Sequence, residues 1–561
     1  MQDMRKGTKV KSTVTARIVA LAVLALVVWS WLAVSLASAE DGTQTVLSMM
    51  TNRQNESSLA QSGGEEHRGK SGKLDPNKSG KNREDENRAN EGRKGPGKGG
   101  GESFLSIPEG VWPVASVIVA RPGATTIDVN ILAAKNGQGH IEYWEKGTNA
   151  LSKTREVGFA AGEPSVICLS NLKANTGYSY RLAFAEGGQG AITLSPEYAF
   201  HTQRAPGSTF VFEIQGDAHP ERAHQNNPAL YAQTLRAAAK DQPDFYMTIG
   251  DDFSVDNLRE INAKAVERIY LGERHYLGLV GQSAPLFLVS GNHEQAALCN
   301  LNGTPDNVAV WAQTFREEYF SQPAPEGIYT GNTEPVNHIG LLRNYYSWTW
   351  GDALFAVIDP YWHSPAPVDN VFGGGNKNRD LWQVTLGDRQ YAWLRETLAN
   401  SSATYKFVFA HHVHGTTRGG TEQAGFYEWG GRDRDSVWAF DTKRPGWELP
   451  IHQLMAKYGV TIFFQGHDHV FCRQELDGVV YQTLPEPADP SYTLYNKDAY
   501  LSGDVLPNSG RVRVTVSPEK VLVEYVRSYL PKDATTEHRD GEVAYSYSIA
   551  PRNPSTKTYK P

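Results

Sequence analysis

Pro285-Leu-Phe-Leu-Val-Ser-Gly-Asn-His-Glu294 is the stretch on which the fold turns. Leu286 to Val289 is a short continuous apolar run, the pattern of a strand buried on both faces rather than one. Polar residues follow at once, so the strand ends in a tip that holds Asn292 and His293. The pattern recurs on either side. Thr209-Phe-Val-Phe-Glu-Ile leads to Gly216-Asp217-Ala-His219, and Phe245-Tyr-Met-Thr-Ile to Gly250-Asp251. Tyr405-Lys-Phe-Val-Phe-Ala leads to His411-His412, and Val460-Thr-Ile-Phe-Phe to Gly466-His-Asp-His469.

Helical patterns separate several of these strands. Asn227-Pro228 reads as an N-cap followed by proline in the first turn, with Leu230, Leu235 and Ala238 forming an apolar stripe. Gln390 to Leu398 and His452 to Tyr458 read as further helices. Strand, polar tip and helix in alternation indicate an α/β fold with largely parallel strands and helices on its faces. Functional residues of such sheets gather at the carboxyl ends of strands. Asp, Asn and His at those ends are the ligands that Zn, Mn and Fe share, whereas Ca prefers oxygen alone. After Asp477-Gly478, read as a hairpin turn, strands at Val479–Thr483, Arg511–Val516 and Lys520–Tyr525 are expected to complete a second sheet beside the first.

Upstream, Val114 to His201 is all-β. Ser116–Ala120, Thr126–Ile131 and His140–Trp144 alternate in polarity, with turn signals at Arg121-Pro-Gly123 and Asn136-Gly-Gln-Gly139. Several short strands in succession make a small β-sandwich. The first residues have a different character. Arg5, Lys6, Lys9, Lys11 and Arg17 precede an apolar stretch, Ile18 to Ala37, and a small-residue site at Ala37-Ser38-Ala39. This is a signal peptide or, uncleaved, a membrane anchor, and either places the rest of the chain outside the cytoplasm: secreted, periplasmic or on the cell surface. From Asp41 to Glu102 the chain is rich in Gly, Ser, Asn and mixed charges and reads as a disordered linker. The expected organisation is 1–39 signal peptide, 40–107 linker, 108–205 β-sandwich and 206–550 catalytic domain.

A formal net charge of −7 leaves no basic footprint for nucleic acid. Three cysteines make no disulfide framework. Cys299 follows His293 and Cys472 follows His469, so the alternatives are a pair between these two or separate thiols.

Taken together, Asp217-Ala-His219, Gly250-Asp251, Gly291-Asn-His-Glu294, Val408-Phe-Ala-His411 and Gly466-His-Asp-His469 resemble the motifs of the calcineurin-like metallophosphoesterase superfamily. The resemblance implies an αββα sandwich domain and a phosphoric ester hydrolase with two metal ions, Fe, Mn or Zn. It implies Asp217, His219, Asp251 and His469 as ligands of one metal, and Asp251, Asn292, His411 and His467 as ligands of the other, with Asp251 shared. His293 is implied as the general acid. The preceding β-rich segment resembles a fibronectin type III module and, with Tyr345-Tyr-Ser-Trp-Thr-Trp-Gly351, leans towards the purple acid phosphatase branch. That branch has a metal-ligand Tyr three residues after the bridging Asp; here the position is Ser254, and His219 is supplied instead.

Several neighbours are open in role. Glu294 orients His293, supports the metal ligands from behind, or is a solvated loop acid. His412, His414 and Arg418 are candidate substrate contacts, and each is also compatible with an ordinary loop role. His224, the Tyr361-Trp-His363 run and Arg432 stand likewise. Arg418 and Arg432 lie in a long Gly-rich insertion, Gly415 to Pro450, of the kind that forms lids. The implied substrate is a small or polymer-borne phosphate ester. Competing readings are a phosphodiesterase acting on nucleotide, lipid or glycan diesters, and a non-catalytic surface-binding protein.

Overall fold

The strands that carry the polar tips are apolar on both faces because each is covered on both sides. Along Phe245–Thr248, Phe245 and Met247 enter one core and Tyr246 another. Phe287 opposes Leu286 and Leu288 in the same way. Phe407 and Phe409 oppose Val408, and Phe464 opposes Phe463. Successive side chains of a strand point to opposite faces, so an unbroken apolar run feeds two cores at once.

The computed structural model describes residues 106–551, except 189, 257, 259, 369–379 and 416. The signal peptide expected at 1–39 and positions 40–105 of the expected linker lie outside the described residues. Those that are described belong to one compact unit, Gly95–Pro561.

Two sheets stack face to face. One has six strands in the order Leu286–Leu288, Phe245–Thr248, Phe210–Gln215, Gly510–Val516, Val521–Arg527 and Val543–Ile549. The first three are parallel and the rest antiparallel. The other has eight strands, with Ala353–Val357, Tyr405–Phe409, Ile462–Gln465 and Val479–Thr483 parallel at its centre. Between them lies an aromatic core in which Phe245 meets the rings of Phe212, Phe287, Trp348, Trp350 and Phe355. Helices Pro228–Asp241, Ala263–Gly281 and Val308–Tyr319 cover the first sheet, and Gly387–Asn400 and Ile451–Lys457 the second. The architecture is therefore helix, sheet, sheet, helix.

The division of strands differs from the sequence reading. The strands after Gly478, expected to complete a second sheet, are divided between the two sheets. Val479–Thr483 joins the eight-stranded sheet, and Gly510–Val516 pairs with Phe210–Gln215. Val512, Val514 and Val516 enter the inter-sheet core, while Arg511 on the other face binds buried Glu213 at 2.6 Å and Asp241 at 2.6 Å. Breaking such a buried pair costs several kcal/mol, about 3–5, which holds the register. Helices Ala263–Gly281 and Val308–Tyr319 were also unanticipated. Each begins at an Asn, Asn262 and Asn307, whose side chain caps the first turn. Asp477 and Gly478 form the hairpin turn with φ of 49° and 83°, the primed geometry that matches strand twist.

Upstream, Ala115–Ala120, Ile127–Ala133 and Pro164–Leu169 form a three-stranded sheet. It faces a six-stranded one built on Gly137–Glu145 and Gly177–Glu186. Val117, Val129, Ile131, Ile141, Tyr180 and Leu182 fill the space between them. Gly137 and Gly139 belong to a strand rather than a turn, and glycine is needed there because the Phe184 ring and the Ala183 carbonyl occupy the space where a Cβ would lie. Arg274, fully buried on Ala263–Gly281, donates to the carbonyls of Ser116 and Asn130 at 3.2 and 3.0 Å and ties sandwich to helix layer. All three cysteines are free: Cys472 is buried and Cys299 half-buried, with no bond between them.

Candidate metal centre

The five tips come from both sheets. Asp217 and His219 follow Phe210–Gln215, Asp251 follows Phe245–Thr248, and Asn292 and His293 follow Leu286–Leu288. His411 follows Tyr405–Phe409, and His467 and His469 follow Ile462–Gln465. Hydrogen bonds join the tips within and across the sheets. The His467 N–H donates to Asp217 Oδ1 at 2.9 Å, the His293 N–H to Asp251 Oδ1 at 2.9 Å, and His411 Nδ1 lies 2.9 Å from the Ile249 carbonyl.

The backbone is forced to bring these groups so close. His219, Asp251, His467 and His469 have φ of 43°, 59°, 68° and 53°, in the left-handed region that costs non-glycine residues about 1–2 kcal/mol each. Gly250, at φ 101°, allows close passage: a Cβ there would sit 2.7 Å from Gly291 N. The same crowding explains Gly466, where a Cβ would overlap the Asp217 carboxylate.

Two separate groups of ligating atoms result, Asp217 with His219 and His469, and Asp251 with His411 and His467, and a third, His219 with Asp251 and His293, overlaps both. Asp251 Oδ2 lies 3.0 Å from His411 Nε2 and also 3.8 Å from His219 Nε2, between the two groups. Asp217 Oδ2 is 3.1 Å from His469 Nε2 and 3.9 Å from His219 Nε2, and His467 Nδ1 is 3.3 Å from His411 Nε2. Donors held about 2.1 Å from one ion stand roughly 3–3.5 Å apart, so these separations suit a shared cation. The carboxylates are 0–1% exposed. Asn292 is buried.

The electrostatics also suit cations. Burial opposes protonation of His411 and His469, yet Asp251 and Asp217 raise the former to about 10, and Glu486 and Asp217 raise the latter to about 10. The carboxylates thus draw positive charge into the cluster, and a metal would supply it in place of protons. Burial, with neighbouring cationic groups, holds His219 and His467 well below the ordinary range, in the neutral form that binds metals. His219 Nε2, Asp251 Oδ2 and His467 Nε2 are buried polar atoms without a hydrogen bond. The residues present fit a pair of transition-metal ions.

Outer partners aim the rings. Ser254 Oγ lies 2.9 Å from His219 Nδ1, so the residue standing where the purple acid phosphatase branch has its Tyr supports the histidine instead. Glu486 Oε1 lies 2.8 Å from His469 Nδ1, and Gln225 Nε2 lies 3.1 Å from the same nitrogen. His293 Nδ1 rests 2.8 Å from Asp256 Oδ2, with Arg222 Nη2 3.1 Å from its Nε2. Burial alone would lower the His293 imidazole, but Asp251 and Asp256 outweigh it and raise it. Sequence reasoning missed Arg222, Asp256, Gln225 and Glu486. Three lie within a few residues of a tip, and a search for polar side chains flanking each tip would have found them. Glu486 has no such signal.

The open candidates fall as follows. Glu294 is buried and accepts from the Asp252 N–H at 3.2 Å, so it is neither solvated nor on His293. Burial, with Asp251 adding to it, pushes its carboxyl up to about 8. His412 and His414 are buried with Nε2 on the carbonyls of Gly419 and Gln423, at 3.0 and 2.9 Å. Arg418 binds the His467 carbonyl and, at 3.1 Å, Asp468 Oδ1. Arg432 lies exposed on Ser436 O at 2.9 Å, and His224 is exposed. Tyr361 is buried, with its hydroxyl on Gly415 O at 3.0 Å and its ring 6.0 Å from that of His411. His363 packs half-buried against Tyr345.

A family model for calcineurin-like phosphoesterases matches residues 214–471, and the chain carries a calcineurin-like phosphoesterase domain. Among solved structures it is similar to the purple acid phosphatase PPD1 from yellow lupin (Lupinus luteus) seeds. The identity is 18% over 78% of this chain and 74% of that one, with a TM-score of 0.51. It is also similar to PhoD, at 14% identity over 81% of this chain and 94% of that one, with a TM-score of 0.55. At these identities the likeness is one of fold. No curated protein matches the chain.

Proposed function

We propose that the protein is an exported phosphoric ester hydrolase that uses two transition-metal ions, Fe, Mn or Zn, and acts as a phosphatase of the acid phosphatase type. The observation that carries the reading is the position of Asp251 Oδ2 between two ligand groups. When bound there, two cations would lower the pKa of a water from about 15.7 towards about 7 and offset the charge of a phosphoryl group. The chain's own residues do the rest. The Ile249 carbonyl, Glu486 and Ser254 hold the far nitrogens of His411, His469 and His219, which keeps the near nitrogens aimed at the cluster. Asp256 holds His293 Nδ1, so that Nε2 faces the cluster rim and delivers a proton to the departing oxygen. The basic and apolar segments of residues 1–39 support export, and the strand pattern of 108–205 supports a fibronectin III-like module.

The test compares p-nitrophenyl phosphate with bis(p-nitrophenyl) phosphate on wild type and His293→Ala, with metal analysis of both. Two bound metals and a large loss of rate in the variant are expected. A metal-free, inactive protein after reconstitution refutes the reading, and a preference for the bis-ester makes the enzyme a diesterase.

A further inference from the structure

Arg222 belongs to none of the five motifs, yet it stands at the mouth of the cluster. It lies on the tight turn after His219, where its N–H donates to the His219 carbonyl at 2.9 Å and its carbonyl accepts from Asn226 N–H at 2.8 Å. The turn carries the guanidinium back over the site. Nη2 is 3.1 Å from His293 Nε2, Nε is 3.1 Å from Glu221 Oε1, and Nη1 is 3.3 Å from Gln225 Oε1. The side chains of His219, His411 and Asp251 are 0–1% exposed, whereas those of His293 and Arg222 are 16% and 17% exposed. An anion entering from solvent therefore meets these two residues beside the carboxylates. Arg418 is engaged with the His467 carbonyl and Asp468.

We propose that Arg222 binds a non-bridging oxygen of the substrate phosphoryl group and thereby selects phosphomonoesters over diesters. The proposal rests on the phosphoesterase reading above. A guanidinium is charged at every working pH, and its planar fork matches phosphate oxygens. Arg222 Nη2 faces an imidazole nitrogen, a weaker partner than an anionic oxygen placed at the same distance. Monoesters carry three non-bridging oxygens and a charge of about −1.5 to −2 at pH 7. Diesters have two such oxygens and a single charge. An added cation at the rim therefore strengthens binding of the monoester more.

The test uses metal-loaded wild type, Arg222→Gln and Arg222→Lys. Each is titrated with inorganic phosphate by calorimetry and assayed on the two p-nitrophenyl esters, with metal content measured alongside. In Arg222→Gln, phosphate affinity and monoester kcat/KM should fall roughly 10- to 100-fold and diester kcat/KM less than about 3-fold, as for loss of one hydrogen bond to a charged group. Arg222→Lys should recover part of the loss. Unchanged phosphate affinity in a fully metallated Gln variant overturns the proposal, as does an equal loss on both esters. Metal loss in both variants also overturns it, by assigning Arg222 to support of the cluster. If wild type hydrolyses neither ester, the phosphoesterase reading fails and the ester preference with it, while the phosphate titration still decides whether Arg222 binds the anion.

Discussion

Replacing Ser254 by Ala tests whether His219 is a metal ligand aimed by its neighbour. Both side chains are fully buried, and Ser254 Oγ lies 2.9 Å from His219 Nδ1. The bond leaves Nε2 facing Asp217 Oδ2 at 3.9 Å and Asp251 Oδ2 at 3.8 Å. Without the hydroxyl, Nδ1 keeps one polar neighbour, Glu221 Oε1, at 3.4 Å. A neutral hydrogen bond contributes about 1 kcal/mol, and a stranded buried donor costs about 1–3 kcal/mol. Because Glu221 is near enough to take up part of the loss, the lower half applies. Metal affinity at the Asp217–His219–His469 group should fall by about 1–2 kcal/mol, or roughly 5- to 30-fold. The Asp251–His411–His467 group should be unaffected. Glu486→Ala offers a graded comparison, since its carboxylate lies 2.8 Å from His469 Nδ1 and a charge-assisted bond is about twice as strong. Stepwise competition with a chelator, followed by metal analysis, resolves the two sites. Wild-type affinity at both sites in Ser254→Ala, or equal weakening of both, would show that His219 is not held this way.

Asp256→Asn should lower kcat roughly 10- to 100-fold with metal content unchanged, because His293 Nδ1 loses its carboxylate at 2.8 Å; a fall in KM alone would contradict the orienting role. Asn227→Ala removes a side chain that accepts from the Ala229 and Leu230 N–H groups, and should cost about 1 kcal/mol in urea unfolding without changing activity. Burial pushes the Glu273 carboxyl, paired with the Tyr231 hydroxyl, up to about 8. A carboxyl raised in the folded state stabilises below its unfolded value near about 4.3, and that stability is lost as pH rises through about 8. Glu273→Gln should flatten this decline, and an unchanged difference between urea midpoints at about pH 5 and pH 8 would refute it.

Much of the ligand set could be read locally. Asp217, Asp251, His411 and His467 each end an apolar run, and a polar residue at such a place is visible without knowing what the strand pairs with. Helices Ala263–Gly281 and Val308–Tyr319 had readable Asn caps but no neighbouring tip to draw attention to them. The partition of strands was not readable. Valines alternating along Gly510–Val516 specify a buried face but not the sheet that covers it, and the partners of Arg511 are Glu213 and Asp241, far away in the chain. Ser254 was visible as a departure from the Tyr of the resembled branch. Its bond to His219 exists because Phe210–Gln215 and Phe245–Thr248 run parallel and deliver their tips side by side.

Sequence by itself determined the chemistry of the donors and their place at strand ends, because alternation and burial act over a few residues. How those donors divide was implied in the sequence only through the family resemblance, and tertiary structure supplies the contacts that hold them. It set Asp251 between the two groups, brought Glu486 to His469, and placed Arg222 and Asp256 on either side of His293. These are contacts across two stacked sheets and between separate loops, and their distances follow from how the cores pack rather than from any local pattern.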